Sequence, residues 1–133
     1  FRLQAATPSD FLFGSLPKTG SEIADLPYRL LLPPNYDANV QYPMIVFLHG
    51  SGERGNDNIS QVNHNAGNVL QFVSADNQAA YPCFMLIPQA NTTDGWNGNT
   101  LGQVVRAIRQ LSATYSIDHN RIYLTGLSLG GFD

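Results

Sequence analysis

The chain has 133 residues, an apolar fraction of 43%, 14 aromatic residues and a net charge of −3. This size and composition predict one globular domain and exclude a disordered chain. The seven Lys and Arg residues are scattered, and no apolar run approaches the ~20 residues of a membrane span, so we expect neither nucleic acid nor a membrane as a partner.

The first 25 residues contain prolines and glycines at short intervals and predict only an N-terminal extension or edge segment. A short strand is predicted at Tyr28–Leu32, which Pro33 ends. The run Met44–Leu48 is continuously apolar. Continuous apolarity is typical of a strand buried on both faces, as in a parallel sheet.

Strand and helix patterns alternate along the rest of the chain. The predicted elements are a weak helix over Val62–Val73, with Val69, Leu70, Phe72 and Val73 on its apolar side, a strand at Cys83–Ile87, a helix at Thr100–Tyr115 capped by Thr100, and a strand at Arg121–Thr125. This alternation predicts an α/β fold, a mostly parallel sheet with flanking helices, and residues 1–133 are interpreted as part of a single domain.

The last predicted strand leads into Gly126-Leu127-Ser128-Leu129-Gly130, a Gly-x-Ser-x-Gly pattern. Such a pattern presents a nucleophilic serine on a sharp turn between a strand and a helix, and the two glycines leave room for that turn. A serine at the start of a helix lies where negative charge is favoured, as acyl transfer requires. Ser128 is therefore the candidate nucleophile.

A second motif follows the strand at Met44–Leu48, where the chain reads His49-Gly50-Ser51-Gly52. Together the two motifs resemble the first half of an α/β-hydrolase, of the secreted-esterase branch with polyhydroxybutyrate-depolymerase-like, feruloyl esterase-like and acetyl-xylan esterase-like members. The matching stretches are YRLLLPP from residue 28, FLHGSGERGNDN from 47, LIPQA from 86, Trp96, and IDHNRIYLTGLSLGG from 117.

This resemblance implies roles for individual residues. The backbone N–H groups of Leu129 and Ser51 would form the oxyanion hole, with Gly52 as the alternative second donor. Trp96, Gly50 and Gly52 would border the substrate. The side chains of Glu53, Arg54 and Asp57 would brace the loop without a chemical role.

None of the three histidines is expected to act as the base. His49 should hold its loop by hydrogen bonds, His64 should anchor a loop, and His119 should lie in the turn at the opposite end of the sheet. In this fold the acid and the histidine follow the serine in the chain, so both are expected after residue 133. We therefore expect an N-terminal portion of a longer hydrolase, whose C-terminal half docks as a second chain.

The expected function is a serine hydrolase acting on a carboxylic ester, whether small or linked to a polysaccharide or polyester. A peptidase on the same fold and a non-catalytic binding or scaffold module stay open as alternatives. No Cys/His cluster has metal-ligand spacing, so no metal or cofactor is expected, and Cys83 is interpreted as an inert core thiol. A secreted or periplasmic location is favoured, with a cytoplasmic one possible.

Overall fold

The apolar runs of the sequence become the central strands of one five-stranded sheet in the computed structural model, which describes residues 5–63 and 69–132. The strands are β1 (Leu12–Leu16), β2 (Leu26–Leu31), β3 (Tyr42–Leu48), β4 (Phe84–Pro88) and β5 (Ile117–Gly126). Their order is β1-β2-β4-β3-β5. The pairs β1–β2 and β2–β4 are antiparallel, whereas β4–β3 and β3–β5 are parallel. The predicted α/β class is confirmed.

Short helices connect these strands. The α-helices are α1 (Ser60–Asn63), α2 (Ala75–Ala80), α3 (Gly98–Thr114) and α4 (Leu129–Phe132), and 3-10 helices cover Pro8–Asp10, Ser51–Glu53 and Leu70–Val73. Only α3 is long, and it packs its apolar side against the sheet through residues such as Val104, Ala107 and Leu111.

The sheet separates two apolar clusters because side chains of successive strand residues point to opposite faces. Met44, Val46 and Leu86 belong to the cluster under α3, whereas Met85 and Ile87 belong to the cluster under the segment around Val62–Val73. Every residue of β4 is buried, as its continuous apolarity predicts for a strand covered on both faces.

Several local predictions are wrong. The cap of α3 is Asn97 rather than Thr100, because the Asn97 side chain accepts hydrogen bonds from the backbone N–H groups of Asn99 and Thr100. The last strand begins at Ile117, so His119 lies within β5 and not in a turn. The described parts of the predicted helix Val62–Val73 form the end of α1 and a 3-10 helix. Phe72, which was predicted on the apolar side, is 40% exposed.

Two elements have no predicted counterpart. Strand β1 pairs with β2 at the edge of the sheet, where Gly14 leaves space that the Tyr28 ring fills. A Cβ atom at Gly14 would overlap that ring. The second element is α2, which Ser74 caps by accepting a hydrogen bond from the backbone N–H of Asn77.

Strand β5 lies at the other edge of the sheet. Among the described residues it pairs only with β3, and Tyr123 and Leu124 are 56% and 61% exposed. A long parallel strand that exposes large apolar side chains is unusual at the edge of a stable sheet.

Candidate active site

Ser128 lies at the carboxyl end of β5, two residues after the strand ends at Gly126. Its side chain is exposed, and its backbone has a φ of 53°, in the left-handed region. For a residue with a Cβ atom this conformation costs roughly 1–2 kcal/mol. Strained serines of this kind occur where a fold must hold a side chain in one functional orientation.

The two glycines of the motif are required by space. A Cβ atom at Gly126 would collide with the backbone of Gly130, and one at Gly130 would collide with the carbonyl group of Leu48. The turn is also tied to β3, because the backbone N–H of Leu127 donates to the carbonyl oxygen of Leu48 (3.1 Å). The Gly-x-Ser-x-Gly pattern therefore forms a tight turn that packs against the end of β3.

The His-Gly turn lies beside the serine because β3 and β5 are parallel neighbours, whose carboxyl ends meet at one edge of the sheet. A Cβ atom placed on Gly50 would lie 3.6 Å from Cβ of Ser128. Ser51 and Gly52 follow Gly50 and are exposed. Within the described residues, the N–H groups of Ser51 and Leu129 donate to no acceptor.

His49 is a buried connector and not a base. The backbone N–H of Ala90 donates to its Nε2 atom (2.9 Å), so Nδ1 carries the ring proton and donates to the carbonyl oxygen of Gly50 (2.6 Å). Burial lowers the pKa of His49, which keeps the ring neutral. Both ring nitrogens are engaged, which agrees with the prediction that His49 holds the loop.

Trp96 supports the same turn from the core. Its indole N–H donates to the carbonyl oxygen of His49 (2.9 Å), and the two rings lie 4.8 Å apart. Because Trp96 is only 2% exposed, its visible role is to brace the turn. Contact between Trp96 and a substrate stays a prediction.

The loop after the His-Gly turn is held by its own polar groups and by Gln89. Hydrogen bonds from the hydroxyl and backbone N–H of Ser60, and from the N–H of Ile59, hold the pKa of Asp57 well below its usual range. Arg54 donates to the carbonyl oxygen of Ser51 (3.0 Å). The predicted bracing roles of Arg54 and Asp57 agree with these contacts.

Sequence reasoning missed Gln89 as part of this site. It belongs to the LIPQA stretch, which was noted only for its resemblance to other proteins. Its amide nitrogen donates to the carbonyl oxygen of Glu53 (3.0 Å) and to the Asp57 carboxylate (2.9 Å), and its amide oxygen accepts from the N–H of Asn58 (2.8 Å). The only sign of this role in the sequence was a polar glutamine placed directly after the apolar strand pattern that ends at Pro88.

Two histidines and one cysteine remain as candidates from the sequence. His119 is exposed in the first half of β5, whereas Ser128 follows the other end of that strand. His64 lies outside the described residues. Burial raises the pKa of the Cys83 thiol to about 11, which agrees with its interpretation as an inert core thiol.

Residues 5–63 and 69–132 contain neither a metal-binding cluster nor a membrane-spanning helix. No group of three or more His, Cys, Asp or Glu side chains in this part of the chain is arranged to hold a metal ion. No helix there is long and apolar enough to cross a membrane.

An open cavity of about 330 Å³ lies beside the serine turn on the face of the sheet opposite α3. It is lined by Phe47, Gln71, Phe72, Thr125, Gly126 and Leu127. Its walls come from the ends of β3 and β5, the residue after β5, and the 3-10 helix Leu70–Val73. The cavity by itself defines no substrate.

Comparison with known proteins extends these observations. The BD-FAE family model matches residues 29–132. The chain is 27% identical over 113 residues to the proteins named "Probable feruloyl esterase C" of Aspergillus flavus and Aspergillus oryzae, covering 83% of this chain and 40% of each relative. It thus spans about two fifths of the length of these curated relatives.

Solved structures have the same arrangement of strands and helices. A thermostable esterase is 37% identical with a TM-score of 0.82, over 92% of this chain and 35% of that one. The feruloyl esterase module of Clostridium thermocellum has a TM-score of 0.67 at 16% identity, over 97% of this chain and 52% of that one. The sheet is therefore of the α/β-hydrolase type, as the motifs indicated.

Proposed function

The chain belongs to the BD-FAE family, and from this premise we propose that Ser128 is the nucleophile of a carboxylic ester hydrolase. The observation that carries the proposal is the left-handed backbone of Ser128 beside the His-Gly turn. A strained, exposed serine packed against a second glycine turn has no evident structural purpose. The esterase names of the relatives support the same chemistry.

The proposed reaction has two steps. The general base takes the proton of the Ser128 hydroxyl while its oxygen attacks the ester carbonyl. The base then gives this proton to the leaving alcohol, and an acyl-serine forms. Water then attacks the acyl-serine, releases the acid and returns the proton to Ser128. In both steps the carbonyl oxygen becomes negatively charged, and the N–H groups of Ser51 and Leu129, which donate to no acceptor among the described residues, would stabilise that charge.

The acid and base are proposed to come from polypeptide other than these 133 residues. His49 has both ring nitrogens engaged, and His119 lies at the far end of β5. The relatives are more than twice as long as the matched region, and the exposed edge of β5 offers a place for a further strand. Whether that polypeptide is continuous with this chain or is a docked second chain, the 133 residues alone should not turn over esters.

The substrate proposal follows the relatives. Proteins named feruloyl esterases are similar to this chain, so esters of ferulic acid are the first substrates to test. A peptidase is the alternative on the same fold, because fold does not determine substrate. A secreted or periplasmic location is likewise proposed, since plant-derived esters are found outside cells.

The test compares hydrolysis of methyl ferulate, a p-nitrophenyl ester and a peptide amide by the full polypeptide that contains this chain. Ser128→Ala should lower kcat/KM on esters by about 10⁴-fold or more. Ser112→Ala is the matched control, since the Ser112 hydroxyl is buried in α3 without a hydrogen-bond partner among the described residues. Ester hydrolysis that survives Ser128→Ala would refute the proposal, and preferred amide hydrolysis would favour the peptidase.

A further inference from the structure

The loop that carries Ser51 is held through its backbone carbonyl groups. The Gly50 oxygen accepts from the Glu53 N–H (3.3 Å), and the Ser51 oxygen accepts from the Arg54 side chain (3.0 Å). Ser51 is exposed, and a Cβ atom at Gly52 would meet nothing within 4 Å. The position of the Ser51 N–H therefore depends on how the flanking residues are held. His49 and Gly50, which precede Ser51, are held through the His49 ring. Residues 53–58, which follow it, are held through the Gln89 side chain.

Gln89 and Ala90, which directly follow β4, attach both sides of this loop to the sheet. The N–H of Ala90 donates to the His49 ring, and its carbonyl oxygen accepts from the N–H of Gly55 (2.9 Å). The Gln89 side chain adds three bonds, to Glu53, Asp57 and Asn58. Gln89 is 1% exposed, so water cannot replace these bonds without opening the loop.

The chemistry of this position fits an amide. The nitrogen of Gln89 donates to a carbonyl oxygen and a carboxylate, while its oxygen accepts a backbone N–H. A glutamate here would place its own carboxylate against the Glu53 carbonyl oxygen and the ionised Asp57. An apolar residue would remove the hydrogen bonds to the Glu53 carbonyl oxygen and the Asn58 N–H. Only a neutral side chain that both donates and accepts satisfies all three partners.

From this arrangement we infer that Gln89 is a positioning residue that sets the place of the Ser51 N–H beside Ser128. The inference rests on the proposed ester hydrolase activity. Gln89 does not touch the reacting atoms, and it acts through the backbone of residues 53–58. Its loss should weaken stabilisation of the developing oxyanion while leaving ground-state binding of the ester nearly unchanged.

Gln78 supplies a matched control, because its contacts lie at the other end of β4. It is also buried, and its amide group both donates to the carbonyl oxygen of Cys83 (3.4 Å) and accepts from the Cys83 N–H (3.1 Å). These contacts lie before β4, at the end of the strand away from Ser128. Gln78→Ala therefore removes a comparable buried amide without disturbing the Ser51 loop.

The experiment measures kcat and KM of the full polypeptide, normalised by active-site titration, for wild type, Gln89→Ala, Gln89→Glu and Gln78→Ala. Binding of a trifluoromethyl ketone, which mimics the tetrahedral intermediate, is measured in parallel. We expect kcat to fall about 10- to 100-fold in both Gln89 variants, KM to change less than about 3-fold, and ketone affinity to fall with kcat. Gln78→Ala should lower the melting temperature but keep wild-type kcat.

Each result has one interpretation. A wild-type protein that hydrolyses no ester refutes the proposed function, and the inference with it. An active wild type whose Gln89 variants match Gln78→Ala in kcat overturns the inference alone, as does a rise in KM at unchanged kcat. If Gln89→Ala does not fold, Gln89→Glu decides, because it keeps the side-chain volume and the acceptor for Asn58.

Discussion

Replacing Gly130 by alanine tests the turn that presents Ser128. The added methyl group would overlap the carbonyl group of Leu48, which is backbone and cannot rotate away. Gly131→Ala is the matched control, because its Cβ atom would have its nearest neighbours at 3.4 and 3.7 Å, an ordinary contact. Both glycines lie in α4, so the two variants differ in the collision and not in helix propensity.

The size of the effect follows from two contributions. Forcing an extra methyl group into packed surroundings costs about 1–3 kcal/mol, and rigid backbone places this case at the upper end. Moving Leu48 away would also weaken the hydrogen bond from the Leu127 N–H, at roughly 1 kcal/mol. Gly130→Ala should therefore lower the unfolding free energy by about 3–4 kcal/mol.

Urea unfolding of the full polypeptide, followed by tryptophan fluorescence, measures this difference. With a slope of about 2 kcal/mol per M, Gly130→Ala should lower the midpoint by roughly 1.5–2 M. Gly131→Ala should stay within about 1 kcal/mol of wild type, since alanine is a better helix former than glycine. Equal midpoints for the two variants would mean that the turn does not pack on β3 as described.

Three further predictions concern the groups around Ser128. His49→Ala should lower the unfolding free energy by about 3 kcal/mol, because the Ala90 N–H loses a buried acceptor. Since burial lowers the pKa of His49, the wild type loses stability as pH falls from ~6.5 towards the lowered pKa, and the difference between variant and wild type should narrow in acid. Asp57→Ala should cost about 1 kcal/mol at pH 7, because the N–H groups of Ile59 and Ser60 lose their acceptor, and the difference should vanish only well below pH ~3.9, because the pKa of Asp57 is lowered. Gly50→Ala should fold normally but lower kcat/KM at least 10-fold, because its methyl group would lie 3.6 Å from Cβ of Ser128, where the ester must approach.

Thermal and urea unfolding at several pH values measure the first two of these predictions, and ester hydrolysis measures the third. His119→Ala is the control for His49, since the His119 side chain is exposed and should contribute under about 0.5 kcal/mol. Gly102→Ala is the control for Gly50, because its Cβ atom would meet nothing within 4 Å. A difference in unfolding free energy between His49→Ala and wild type that does not change with pH would contradict the described geometry. Full activity of Gly50→Ala would also contradict it.

The sequence predicted the central sheet because the responsible signals are local. Continuous apolarity at Met44–Leu48 is visible without knowing its neighbours, and the same holds for the helical spacing of α3 and the glycines around Ser128. Strand β1 was missed because its pairing with β2 depends on Tyr28 filling the space above Gly14. Its five residues carry little strand signal of their own.

The hydrogen bonds that hold the site were hard to predict because their partners are far apart in the sequence. The role of Gln89 depends on three partners more than thirty residues away in sequence, in a loop whose path no pattern specifies. The ring proton of His49 follows from an N–H at Ala90, 41 residues later. The cap of α3 was misplaced because Asn97 and Thr100 are both suitable capping residues and only the backbone geometry distinguishes them.

Labelling of the native full polypeptide with a fluorophosphonate, followed by intact mass and fragment mapping, tests the central claim most directly. An activated serine forms a covalent adduct, whereas an ordinary surface serine does not react. We expect one adduct per molecule, located on Ser128, that disappears in urea and in Ser128→Ala but persists in Ser112→Ala. An enzyme that hydrolyses esters while its adduct maps to another residue, or that shows no adduct, would contradict the assignment of Ser128 as the nucleophile.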